Sequence, residues 1–365
     1  MAVRSPRVSI RARHPSRLSP GQRQLRDTAV RTEIDALNAR AWENLKHDLD
    51  VALAEAQDAG RRAADCAYEA GNAAAALTQA GIYYHRGDYP QSLAFARRAL
   101  AGFMRSGDPG RQAAALQLLG NIHVVSRRPA RAKAYFERAL PLARAAADHH
   151  REAQILGNLA HWHWLREEFA PATERLQEAL ILARRHHNRL EEGYTRLMLG
   201  SVYSSQGDEK RALREYKLSL AARRDANYTG GMAMALRNIG ESLCKLRRPR
   251  EALAPLAEAL RLSRRCGDRR TLATTLCTLA EARIALGEVT GARRCAQRAL
   301  TAARAQGDMR AEAEAQLSLG RLAAACDRPA AARTHWQLAK DGARECEDFA
   351  LEKMAAALFA GRPAK

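Results

Sequence analysis

LMLGSVYSSQGDEKRALREYKLSL, residues 197–220, decides the fold. Leu199, Gly200 and Tyr203 fall on one helical face, Gly207-Asp208 interrupts the helix, and Ala212, Tyr216 and Leu220 recur every four residues on a second one. Moved by 40 residues, the template fits again. The Leu-Gly pair returns as Leu119-Gly120, Leu159-Ala160, Ile239-Gly240, Leu279-Ala280 and Leu319-Gly320. The small residue of the second helix returns as Ala132, Ala172, Ala252, Ala292 and Ala332, and the residue four later as Phe136, Leu176, Leu256, Ala296 and Trp336. The second helix ends in Ala99-Leu100, Ala139-Leu140, Ala179-Leu180, Ser219-Leu220, Ala259-Leu260 and Ala299-Leu300. So many columns in one register define a helical repeat array. Glycine or alanine in the Leu-Gly column has a packing reason: two helices must approach closely there, and a larger side chain would force them apart.

Within 365 residues, aromatics make up 5% and Ala, Leu, Arg and Glu dominate, which suits close-packed helices rather than strands. Residues 1–26 carry seven arginines, no acid and three prolines (Pro6, Pro15, Pro20), and read as a disordered basic tail. Residues 27–66 form a degenerate first repeat, with Ala39-Arg40 in the Leu-Gly columns. Seven repeats of 40 residues occupy 67–348, and 349–361 form a lone capping helix that ends at Gly361-Arg-Pro. Prolines at 90, 129, 171, 249 and 329 suit helix starts, while Gly107-Asp108, Gly267-Asp268 and Gly307-Asp308 read as a helix stop followed by an N-cap.

The pattern resembles the tetratricopeptide repeat, whose W-x2-L-G-x2-Y…A-x3-F signature is nearly met by Arg196, Leu199, Gly200, Tyr203, Ala212 and Tyr216, with arginine in place of the tryptophan. The resemblance covers roughly residues 28–360, with a unit longer than the usual length of about 34. It is similar to long-unit members among spindle-orientation adaptors, kinesin light chains and bacterial signalling regulators. It implies an all-α fold, a right-handed α-solenoid, whose first helices line a groove for peptides or partner proteins. The lining would include Tyr84, Gln117, Asn121, Gln154, Asn158, His161, Trp164, Tyr194, Arg237, Asn238, Glu241 and Lys245. Asn158 and Asn238 stand where long-unit relatives use asparagine to grip a peptide backbone; an amide both donates and accepts. The lysine–asparagine clamp that some relatives use on a terminal carboxylate is not reproduced.

Catalysis finds no foothold. GxxxxGK[ST], GxSxG and HExxH are missing, as is a GxGxxG after a strand, so the chain reads as non-enzymatic and without a cofactor. The histidines at 149–150, 161, 163 and 186–187 lack the further Cys or acid that a zinc site needs, and no metal is expected. His123 and His163 share a column with Tyr83 and Tyr203 and should pack between helices. Seven cysteines without a CxxC pair favour a reducing, cytoplasmic setting; Cys66, Cys266 and Cys346 share one column and read as small buried side chains. Nothing is long and apolar enough to span a membrane.

The net charge of +20 calls for an acidic partner or a polyanion. Arginines 144, 184, 224, 264, 304 and 344 form a ladder with one rung per repeat. Each should meet the negative end of its helix dipole and pair with an Asp four residues on, where one stands. A protein or peptide scaffold is therefore the first functional expectation. The alternatives are RNA or DNA binding through the tail and outer arginines, or the sensor module of a signalling regulator.

Overall fold

Residues 19–45, 47–126 and 128–360 are described by the computed structural model. Among the described residues seventeen helices, α1 to α17, run in order, with α3 (Glu69–His85), α9 (Arg189–Ser205), α11 (Thr229–Lys245) and α15 (Met309–Ala325) typical first helices. Second helices include α4 (Tyr89–Ser106), α6 (Pro129–Ala145), α10 (Glu209–Asp225), α12 (Pro249–Arg265), α14 (Val289–Arg304) and α16 (Pro329–Glu345). No strand occurs among the described residues. The helix α1 (Pro20–Asn44) begins inside the segment read as a tail; residues 1–18, with Pro6 and Pro15, lie outside the described residues. The lone last helix, α17, covers Phe349–Phe359, and Gly361-Arg-Pro also lies outside them.

The chain divides into two compact units, 1–151 and 152–365. In each, consecutive helices pack as antiparallel hairpins, and first helices touch the first helix of the next repeat: α1 with α3 in one unit, α11 with α13 (Arg269–Ala285) in the other.

The repeated columns are the seam of each hairpin. A Cβ added at Gly120 would sit 2.3 Å from the ring of Phe136, at Gly200 2.4 Å from Tyr216, at Gly240 2.5 Å from Leu256, and at Gly320 2.4 Å from Trp336. The bulky side chain of the second helix thus occupies the volume that the first helix leaves empty. Phe136 and Leu256 are fully buried, and each such side chain contributes about 1.5–3 kcal/mol. Where the chain has Ala280, its partner has shrunk to Ala296, and both are buried.

Arg196, in the tryptophan column, is buried between two carboxylates: Nε lies 3.0 Å from Glu192 and Nη1 2.9 Å from Glu215. Burial pushes the Glu192 carboxyl up, but hydrogen bonds from Arg189 and Arg196 outweigh it and hold the group below its ordinary value. An ion pair here fills space that an aromatic ring would otherwise take.

The helices end alike. Ala67, Ala147, Glu167, His187, Asn227, Arg247, Asp327 and Glu347 all adopt φ between 51 and 61°, and glycines 87, 107, 207, 267, 287 and 307 occupy the same place. At each end two N–H groups reach back, as when Asn188 N donates to Ala183 O and His187 N to Arg184 O. This is the Schellman closure. The aspartates at 88, 108, 208, 268, 308 and 348 then cap the next helix by accepting the N–H three residues on.

Two stability predictions follow from these ends and from the buried arginine. Arg247→Gly removes a side chain from a left-handed backbone and should raise stability by about 1 kcal/mol, while Gly207→Ala should lower it by a similar amount. Arg196→Ala removes the buried bonds to Glu192 and Glu215 while Arg189 still meets Glu192, and should cost about 1.5–3 kcal/mol. Urea unfolding followed by circular dichroism measures all three.

Candidate functional site

In the second unit the first helices present one aromatic and polar face. Trp164 on α7 (His149–Leu165) is half-buried and donates from Nε1 to Ser205 Oγ of α9 at 2.9 Å. His161 stands one turn earlier, its ring 5.5 Å from that of Trp164, and burial lowers its pKa. Tyr194, 38% exposed, lies against Gly157, where an added Cβ would come within 3.2 Å of its ring. Burial raises the Tyr194 phenol, with the Glu191 charge adding to the effect. Gln154 Nε2 donates to Glu191 at 3.1 Å, and Asn158 is half-buried.

One repeat further along, the same face is a charged network. Lys245 Nζ donates to Ser204 Oγ at 2.8 Å and lies 3.3 Å from Glu209 and 3.1 Å from Glu241. Glu209 also accepts from Ser204 and Ser242, each at 2.7 Å. Arg237 reaches Glu241 at 3.1 Å. Burial pushes Glu241 up, but Arg237 and Lys245 overcome it and hold the carboxyl below its ordinary value. Burial likewise pushes Lys245 down, and Glu241 and Glu209 carry it above. Beyond lie Glu281, paired with Arg321, and Glu314, whose carboxyl is raised by burial. Sequence reasoning singled out neither Glu209 nor Ser242, because the helix start and interior they occupy carry no distinctive signal.

Asn238 does not lie on this face. It is 6% exposed, and its Oδ1 finds no hydrogen-bond partner among the described residues. Asn238 is enclosed by the packing of its own repeat, whereas Asn158, in the same column, is half-buried.

In the first unit, Tyr84 packs edge-on against Tyr89 with ring centroids 6.0 Å apart, and burial raises its phenol. Gln117 is 7% exposed and accepts from Arg151 Nη1 at 2.8 Å. Asn121 is half-buried.

The other clusters resolve into structure. His123 is buried and stacks on Tyr135 at 5.3 Å, and His163 Nδ1 contacts Glu168 at 2.7 Å. No group of three or more His, Cys, Asp or Glu that could hold a metal is gathered among the described residues. The arginine ladder departs from expectation. Arg304 and Arg344 reach the glutamates eight residues on, Glu312 and Glu352, each at 2.8 Å. Asp308 and Asp348, occupied as helix caps, instead meet Arg270 and Arg310 of the preceding first helix, at 3.7 and 2.8 Å. Cys66, Cys266 and Cys346 are not buried either: they are C-cap residues, two of them exposed. No described helix is long and apolar enough to cross a membrane.

A Tetratricopeptide repeat family model matches residues 71–145, 112–185 and 231–305, more than half of the sequence. The chain belongs to the tetratricopeptide repeat family. No match is found among curated proteins. Among solved structures it resembles a signal transduction ATPase with numerous domains that carries a tetratricopeptide repeat sensor, from Pyrococcus horikoshii (13% identity, TM-score 0.66, 89% of this chain and 50% of that one). It also resembles the Rap conjugation gene regulator of plasmid pLS20 in complex with a Phr peptide (9%, 0.61, 87% and 96%). A third is aspartyl phosphate phosphatase F from Bacillus subtilis (13%, 0.63, 80% and 74%). At such identities the likeness establishes the fold and not the activity.

The charged network has a signed pH dependence. Glu241 titrates lower in the folded chain than its ordinary 4.5, so its contribution is full above that pH and is lost as pH falls below it. Lys245 titrates above its ordinary 10.5, so its contribution is full below that pH and is lost at more alkaline values. Lys245→Met should therefore cost tenths of a kcal/mol at neutral pH, and the difference from the parent should shrink below pH 4.5, as urea midpoints against pH would show.

Proposed function

We propose that this chain is a non-catalytic scaffold that binds an extended peptide or protein segment along the first-helix face of its second unit. The supporting observation is the sequence of surfaces on that face: half-exposed Trp164 and Tyr194, then the Ser204–Lys245–Glu241–Arg237 network. Aromatic rings beside satisfied polar groups suit a segment with alternating apolar and polar side chains. Trp164 and Tyr194 act as apolar anchors, and Asn158 remains the amide placed to meet a peptide backbone. The pLS20 regulator, captured with a peptide, supports this reading, and the Pyrococcus protein carries such repeats as a sensor. The Bacillus phosphatase shows that the fold also serves an enzyme, but none of the catalytic signatures sought above occurs here.

A second reading has its own observation. On α14, Arg293, Arg294 and Arg298 are exposed and the helix contains no acid. A polyanion would follow such a ridge, with affinity falling steeply as salt rises.

Capture from the native host separates the two. Partners held by the parent chain should be lost with Trp164→Ala/Lys245→Ala and kept with Arg293→Ala/Arg294→Ala. The reverse pattern, or retention by both variants, would contradict the groove reading.

A further inference from the structure

Arg223 breaks the pattern of its column. Of the seven other second helices, five carry alanine at the equivalent position. On the facing first helices the sequence compensates: Gly193 stands where α3, α5 (Pro109–Val125), α7, α11, α13 and α15 all have alanine. A Cβ at Gly193 would lie 2.7 Å from Arg223 Cγ, and one at Gly231 only 2.0 Å from Nη1. Room for this one guanidinium has been made on both sides.

The charge it brings in is not neutralised. Arg223 is 2% exposed, Nε donates to Ser219 Oγ at 3.1 Å, and Nη1 has no hydrogen-bond partner among the described residues. The ionisable groups that act on it are two phenols, Tyr228 and Tyr194, and no carboxylate. Arg196, by contrast, is buried against Glu192 and Glu215. A buried cation without a counter-ion costs several kcal/mol, so packing alone gives no reason to keep it. The α11 helix starts beside it: its N-cap residue, Tyr228, provides no side-chain cap for the N–H groups of the first turn, which contains Gly230 and Gly231. Tyr228, 48% exposed, lies under the guanidinium at 5.7 Å, and Tyr194 is exposed on the first-helix face.

We propose that Arg223 is the floor of a carboxylate-binding site, uncovered when the Tyr228 and Tyr194 side chains swing outward, with the free first-turn N–H groups of α11 as additional donors. The planar fork of an arginine whose Nε is already engaged leaves the Nη edge for a planar anion. Two aromatic walls favour a carboxylate over a bulkier tetrahedral ion. The source is either a chain terminus or an acidic side chain. This site goes beyond the groove reading and does not depend on it, since small carboxylates should occupy it alone.

The test uses the full chain, labelled with 15N-arginine, and follows the Arg223 side-chain resonances by NMR. N-acetylglycine, which mimics a chain terminus, and N-acetylglutamic acid α-amide, whose one free carboxylate is that of the side chain, are titrated separately at constant ionic strength. A saturable shift with either supports the site, and the responding compound identifies the source. Equal shifts with the neutral N-acetylglycinamide, or a response to inorganic phosphate alone, would overturn it. In parallel, Arg223→Met should melt about 2–4 °C above the parent and lose the parent's rise in melting temperature with carboxylate. A lower melting temperature for Arg223→Met would assign the residue to packing and equally overturn the proposal.

Discussion

Four of the hairpins close because a large side chain of the second helix rests on a backbone that has none in the way. Phe136 on Gly120, Tyr216 on Gly200, Leu256 on Gly240 and Trp336 on Gly320 are the same contact made four times. Close approach at this point brings the alanines of both helices, such as Ala235 and Ala252, out of water, and the neighbouring leucines follow. Glycine in a helix costs about 1 kcal/mol against alanine, so its presence there needs this offset. Where the offset is absent the chain reverts: Ala280 faces Ala296.

The seam also explains why the first-helix face of the second unit is left partly exposed. Packing consumes one side of every first helix and the small-residue side of every second helix. Residues such as Trp164, Tyr194 and Lys245 are left at the boundary, tied to a neighbouring repeat by Ser205, Gly157 and Ser204 respectively. Those ties cross from one repeat to the next, so the face is held in register by the stack that presents it. Arg223 shows the same logic inverted, with Gly193 admitting a charge where most other repeats admit only a methyl group.

Much of the fold was legible because packing columns leave a periodic trace. The seam residues Gly120, Gly200, Gly240 and Gly320 could be named, with their partners, from spacing alone. The half-period could not. Helix ends recur every 20 residues, but only some carry glycine; at Glu167 or Arg247 the backbone adopts the left-handed turn with an ordinary side chain, at a cost too small for composition to mark. The site was legible as a face and not as individual roles. Asn158 and Asn238 share a column, yet only Asn238 is buried, a difference that spacing alone does not carry. The aspartates following the arginine ladder satisfy their helix N-termini and the preceding repeat instead of the arginine four residues back, because capping geometry competes for the same oxygens.

The interlocking seam is tested most directly by a double-mutant cycle on Gly240 and Leu256, read as unfolding free energies in urea. Gly240→Ala alone and Leu256→Ala alone should each destabilise the chain, the first by about 1–3 kcal/mol and the second by about 2–5 kcal/mol. Together they recreate the pair that the chain itself uses at Ala280 and Ala296, so the double variant should be more stable than the sum of the singles by about 1 kcal/mol or more. Strict additivity would mean that the two side chains do not share a volume, and would contradict the account.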